Sequence, residues 1–244
     1  MIYKYLVVAC VCFAGAVLQS VVGFGFPIIA LIFFSMLFPI PLAVTITQTA
    51  GVVGVTYFFI RYFRHIKWKI LLPFLISSLI VGIPLTWYSG HMSAGNIKIH
   101  MGVVLVLIAS FMLFFQNRVT IKPNTVTGCV TGAVSGAMNG LFAIGGPPVA
   151  LYLYPSINDK IAYIASVNAY FVIFKLFSLP IRLSQGNIAS ESVGYLFTAI
   201  VSMTAGTLMG EHFMKKVQSR LLTKLVYGFV LVSGLIIVVQ ELLK

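Results

Sequence analysis

The chain has 244 residues, of which 8% are charged and 60% hydrophobic, with a mean hydropathy of +1.05. A soluble globule cannot hide that much apolar surface, so a secreted domain, a disordered tail and a cytosolic enzyme are excluded. The net charge of +12 comes from 16 Lys and Arg against 4 Asp and Glu. These cations sit in short loops between apolar runs, which marks membrane topology and not a nucleic-acid surface.

Apolar runs occupy residues 5–22, 24–38, 43–60, 70–88, 98–115, 126–139, 141–154, 161–180, 192–210 and 222–240. They are expected to be helices, because unpaired backbone polar groups cannot face lipid. The weak alternating strands of a membrane barrel are not seen. The reading is an all-α polytopic membrane protein with no room for a soluble domain. Lys4 followed by Tyr5 to Leu18 looks like a signal peptide, and Val7-Val8-Ala9-Cys10 like a lipoprotein cleavage site. Too few residues precede Cys10 for that, so the segment reads as a retained first helix.

Two runs are short. Fifteen residues, 24–38, reach about 23 Å against a hydrocarbon core of about 30 Å. That run opens at Gly23-Phe24-Gly25-Phe26-Pro27 and closes at Pro39-Ile40-Pro41. Run 141–154 opens in the same way, with Gly145-Gly146-Pro147-Pro148. Both read as half-helices or kinked hairpins.

The chain also repeats. Gly15-(x7)-Gly23 recurs as Gly132-(x7)-Gly140, an offset of 117, and Pro27, Ala30 and Leu31 recur as Pro147, Ala150 and Leu151, an offset of 120. At that second offset Gln48 falls on Asn168. Gly82 then matches Gly206, and Gly102 matches Gly228. The expected division is a first transmembrane repeat over 1–115, a cytoplasmic linker over 116–125 and a second repeat over 126–244.

Loop charge orients the halves. Arg61, Arg64, Lys67 and Lys69 follow the third run, while the matching loop holds only Arg182. Lys98 alone follows the fourth run, while its counterpart holds Lys215, Lys216 and Arg220. Equivalent loops therefore face opposite sides, which is an inverted repeat. Inversion needs an odd number of crossings per half, either five spans or three plus a re-entrant hairpin. Loops 61–69, 116–125 and 211–221 are expected in the cytoplasm and both termini outside.

Short, Gly/Pro-interrupted helices in inverted halves point to a transporter with its site near the midplane. Helix ends after Gly25 and Gly146 would bring positive dipoles together, which suits an anion. Kinking and close packing explain the same glycines without a ligand. Asp159, Glu191, Glu211 and Glu241 all lie at run ends or in loops, which argues against a cation substrate or a carboxylate proton site. Lys175 is the one charge inside a run; it either meets the substrate or snorkels past Pro180. Gln19, Gln48, Asn139 and Asn168 offer amide donors to an oxyanion, or simply bond helix to helix.

Cys12 and Cys129 match at offset 117 and read as core cysteines, and Cys10 is in a run as well. His65, His91, His100 and His212 lack metal-ligand spacing. Gly132-Ala133-Val134-Ser135-Gly136 faintly suggests an intramembrane serine protease, but no His lies within reach mid-run.

Gly15 to Leu31 with Thr45-Ile46-Thr47-Gln48, and Gly132 to Leu151 with Ser166-Val167-Asn168, resemble the sulfite exporter TauE/SafE family. So does the later Gly206-Thr207-Leu208-Met209-Gly210. The chain departs from the family pattern at Phe24 and Phe26, where Gly or Ala is usual, and at Gly82-Ile83-Pro84-Leu85-Thr86. The resemblance implies a prokaryotic cytoplasmic-membrane permease for small anions, often sulfite, sulfonates or related organosulfur compounds.

The expectation is a secondary transporter, an exporter of a small anion, working by alternating access. Its substrate-binding set is Gly23, Phe24, Gly25, Pro27, Gln48, Gly145, Gly146, Pro147, Asn168 and Lys175. No catalytic residue, metal ligand or cofactor is expected. The partners are the anionic substrate and the bilayer, and GxxxG-like glycines leave a homodimer open. A passive anion channel and a non-transport membrane partner are the alternatives.

Overall fold

The computed structural model describes residues 2–92, 124–185 and 192–214, with 100, 102–104, 106, 107, 110, 111, 113, 231 and 235. Half of the run expected at 98–115, most of that expected at 222–240 and most of the 116–125 linker lie outside the described residues. So do Lys98, Lys215, Lys216, Arg220 and Gly228.

The described chain is helical, without strands. Its helices are α1 (Ile2–Val22), α2 (Phe26–Leu37), α3 (Ile40–Arg61), α4 (Trp68–Ser89), α5 (Thr125–Phe142), α6 (Gly146–Ser156), α7 (Lys160–Ser184) and α8 (Val193–Met214). A single 3₁₀ turn, Phe63–His65, links α3 to α4. Among the described residues, α1, α3, α4, α7 and α8 are long and apolar enough to cross a bilayer. With the composition, this makes the chain a multi-pass membrane protein.

Helix lengths follow the same order twice: long, short, long, long. α2 has 12 residues and α6 has 11, about 18 and 16 Å, so neither spans. Local sequence sets their limits. Gly25 at the N-cap of α2 takes φ +115°, a conformation that costs glycine little, and Pro27 follows inside the first turn. Extended Phe38 before Pro39 ends the helix. α6 starts at Gly146, with Gly145 at its N-cap and prolines in its first turn. Asn124 caps α5 through a capping box with Thr127, and the Asp159 carboxylate caps α7 by accepting from the Ala162 N–H.

Contacts between the halves are reciprocal. α1 packs along α8, α4 along α5, and α3 along α7. Glycine makes the first two approaches close. Gly132, Gly136 and Gly140 lay α5 against the backbone of Phe74, Ser78 and Gly82 on α4, while Gly206 and Gly210 lay α8 against Phe13, Ala16, Val17 and Ser20 on α1. Gly82 and Gly206, matched by sequence, thus do the same work in the two contacts.

The two helix-turn-helix units close at opposite ends of α3. Lys4 donates to the carbonyl of Leu37 at 3.3 Å, tying the start of α1 to the end of α2, where α3 begins. The Tyr152 hydroxyl donates towards the carbonyls of Ile70 at 3.3 Å and Asn124 at 3.5 Å. That ties the end of α6 to the starts of α4 and α5. α4 starts beside the other end of α3, where Arg61, Tyr57 and Tyr62 all reach Glu211 of α8.

Candidate functional site

Each short helix is entered through a tight turn, and the two turns share a backbone signature. Gly23 has φ +92° and Ala143 has φ +61°; Ala143 is the one described residue other than glycine with positive φ. These positions are 120 apart, as are the helix ends at Val22 and Phe142 and the starts at Phe26 and Gly146. The turns therefore align at offset 120, not at 117. At this register Gln19 falls on Asn139, so the four buried amides form two equivalent pairs: Gln19 with Asn139 and Gln48 with Asn168.

The turns meet. A side chain at Gly146 would lie 2.8–3.1 Å from Phe24, so the Phe24 ring rests on the second turn. Gly145 is equally close to Asn139 at 2.8 Å, and Gly23 faces Tyr163 at 3.3 Å. Gly23, Phe24, Gly25, Gly145, Gly146 and Pro147 are buried, and Pro27 is half-buried. Prolines change what these helix ends offer. Pro27 carries no N–H, nor do Pro147 and Pro148. The ends keep their dipoles, but few backbone donors remain.

Lys175 does not snorkel: it is 5% exposed and turned into the protein. Its ammonium donates to the Gln48 side-chain oxygen at 2.7 Å and to the Gln48 main-chain carbonyl at 3.1 Å. Gly51 leaves room for it, because a side chain there would lie 2.8 Å from Lys175 Nζ and 3.4 Å from the Phe26 ring. Gln48 thereby turns its Nε2 inwards, buried and without a partner.

Asn168 behaves differently from its counterpart. Its Nδ2 donates to the Ile164 carbonyl of its own helix at 2.8 Å, leaving Oδ1 buried and without a partner. Gln48 presents a donor and Asn168 an acceptor. Only the first matches an anion in the conformation observed.

Three other cations reach helix ends. Lys4 reaches Leu37 at the end of α2, and Lys160 donates to the carbonyl of Met214 at the end of α8. Arg182, buried at 5% exposure, reaches the carbonyls of Asn139 and Gly140 in the last turn of α5 and the hydroxyl of Ser89. Each sits where the helix dipole favours a cation. Lys175 lies in mid-helix against mid-helix and has no such explanation.

Sequence reading missed two features of this region. Arg182 was placed in a loop because its run stopped at Pro180. The seven-residue steps from Asn168 through Lys175 to Arg182 put all three on one helix face, and were the available signal. The second feature is a hydroxyl chain around Tyr170. Ser135 donates its one proton to the Gly145 carbonyl at 2.8 Å, so it must accept from Tyr170 at 3.0 Å. Tyr170 then accepts from Ser78 at 2.9 Å and from Asn139 Nδ2 at 3.3 Å. The chain runs in one direction and fixes the second turn. Ser135, which resembled a protease serine, is engaged there.

Cys12 is fully buried, Cys10 is exposed, and Cys129 lies against the Pro73 carbonyl at 3.7 Å. Among the described residues no three His, Cys, Asp or Glu stand close enough to hold a metal ion. Searches of curated proteins and of solved structures return no match. A family sequence model, that of the sulfite exporter TauE/SafE, matches residues 7–237, so the chain belongs to that family.

Proposed function

We propose that the chain exports a small oxyanion, sulfite or an organosulfonate, by alternating access at a site between its two halves. Its family is one of membrane transporters of sulfite and related anions, which sets the substrate class. The observation that carries the site is Lys175, a buried ammonium in mid-helix held, among the described residues, by Gln48 oxygens alone. Among the described residues no carboxylate pairs with it. Burying such a charge costs about 2.5–3.5 kcal/mol on insertion scales, and an arriving anion would supply the missing countercharge.

Gln48 Nε2 and the remaining Lys175 proton would donate to the anion. The turns at Gly23 to Pro27 and Gly145 to Pro147 would add their dipoles. Asn168 would join only on turning its amide away from the Ile164 carbonyl. The halves, 1–115 and 126–244 about a 116–125 linker, are read as inverted repeats of one hairpin plus three spans. Supporting this are the hairpins that close at opposite ends of α3 and the basic loop that changes place between halves. Alternating access would come from one half rocking on the other.

The test is sulfite efflux from proteoliposomes, measured against protein-free vesicles and against Lys175→Met. Saturable efflux that the substitution abolishes supports the reading. Efflux that never saturates would make the protein a channel. No efflux of sulfite, taurine or methanesulfonate would overturn it.

A further inference from the structure

A second cavity lies apart from Lys175, at the corner where α1 ends, α6 ends and α7 begins. It encloses about 230 Å³ and is lined by Val21, Tyr154, Ile157, Asn158, Lys160 and Tyr163. That is ample for one small oxyanion with some of its water. The lining is unlike the lipid-facing surface, since it carries an amide, an ammonium and two phenols.

We propose that this cavity is an outlying anion subsite, the vestibule through which the oxyanion reaches the first turn, with Tyr163 as its floor. This builds on the transport reading above but concerns different residues. Tyr163 is only 5% exposed, and its hydroxyl makes no hydrogen bond among the described residues. The oxygen itself is not sealed off, so the phenol can donate its proton into the cavity. The same ring lies 3.3 Å from the side-chain position of Gly23, so the cavity ends on the turn that opens α2.

Charge favours the same occupant. Asn158 and Lys160 flank the start of α7, where the helix dipole is positive. The Lys160 ammonium also reaches the Met214 carbonyl, so its position is fixed. No acid is among the described lining residues, and the Asp159 carboxylate accepts from the Ala162 N–H at 2.7 Å. The Tyr154 ring meets Tyr163 edge-on at 5.5 Å and forms the outer wall. The arrangement offers donors at the mouth, a donor at the floor, and an aromatic pair between them.

The test uses Tyr154→Cys as a reporter, since Tyr154 is exposed and offers the anion no essential donor. Alkylation by iodoacetamide is read at residue 154 by peptide mass spectrometry, so the native cysteines stay. The protein is held in phosphatidylcholine vesicles with rising methanesulfonate, which does not react with thiols. Methanesulfonate should slow alkylation, and adding Tyr163→Phe should raise the half-protecting concentration about three- to tenfold. Adding Lys175→Met should leave protection intact, which separates this subsite from the central one. An alkylation rate indifferent to methanesulfonate overturns the proposal, as does protection that Lys175→Met abolishes. Protection that needs phosphatidylglycerol and not methanesulfonate would assign the cavity to a lipid headgroup instead.

Discussion

Lys175 donates to both oxygens of Gln48, the side-chain amide at 2.7 Å and the main-chain carbonyl at 3.1 Å, across the contact of α7 with α3. One residue thus holds the ammonium on an oxygen of each kind while its own amide nitrogen stays without a partner. The pair joins the two halves of the chain at the midpoint of both helices. It is a neutral stand-in for the countercharge that the site lacks.

Lys175→Met should therefore separate binding from stability. Losing a charge-assisted hydrogen bond weakens anion binding about ten- to a hundredfold. Removing a buried, uncompensated charge should leave the melting temperature unchanged or higher. A variant that transports normally would remove Lys175 from the site, whatever its stability.

The equivalent amides should not respond equally. Gln48→Ala removes an inward donor and one anchor of Lys175, so affinity for the anion should fall about tenfold. Asn168→Ala removes a bond made within one helix and should change affinity by less than about threefold. Equal losses in isothermal titration would mean that Asn168 turns its amide on binding. Unchanged affinity in both variants would discard the amide pair.

How much of this was legible in the sequence depended on range. Helical class, the short helices and their Gly/Pro openings follow from local chemistry, and the structure places them within a few residues of expectation. Register at the turns did not follow, because Gly23 and Gly140 look alike while the true partner of Gly23 is Ala143. Backbone dihedrals and the helix bounds distinguish them. Lys175 stood out as a charge in an apolar run, but its partner could not be read, since Gln48 is 127 residues away. The Tyr170 chain was invisible for the same reason: a hydroxyl of α4 and a hydroxyl and an amide of α5 converge on one phenol of α7, and no spacing along one helix announces that.

The contact between turns makes a steric prediction. A methyl at Gly146 would lie within 2.8 Å of Phe24. Gly146→Ala should force the turns apart and cost about 1–3 kcal/mol, the range for overpacking. Phe24→Ala alone opens a void, yet it should partly rescue Gly146→Ala. Melting curves of the four-member cycle would show this coupling, and additive losses would show that the turns do not bear on one another.

Tyr62, just past the end of α3, gives a pH dependence. Burial, with the hydrogen bond to Glu211, pushes its phenol up to about 12 from 10.0. The folded state thus favours the neutral phenol. That contribution is full below pH about 10, where the unfolded chain is neutral too, and is lost as pH rises through about 12. Stability should be flat from pH about 6 to 9 and fall above about 10, and Tyr62→Phe should blunt the fall. A fall of equal size in the variant would assign the alkaline limb to other groups.

Tyr170 makes the strongest demand on the second turn. Its hydroxyl accepts from Ser78 and Asn139 and donates to Ser135, which in turn donates to the Gly145 carbonyl. Tyr170→Phe keeps the ring and its edge-on contact with Phe74 at 5.1 Å, but strands the Ser78 hydroxyl and Asn139 Nδ2. A cost of about 1–3 kcal/mol follows. Ser135→Ala should cost a similar amount by freeing the Gly145 carbonyl. Because the two residues share one hydrogen bond, the double variant should lose less than the sum of the singles. The first turn has no such chain: Gly15 stands at the position matching Ser135 and packs on the Phe26 ring at 2.7 Å from its side-chain position. The second turn is therefore held by hydroxyls and the first by an apolar ring. Anion affinity should drop in Tyr170→Phe, as the loosened turn no longer presents its dipole, while Ser135→Ala should drop it equally. Strict additivity of the melting losses, with affinity unmoved, would mean that these hydroxyls only fill space.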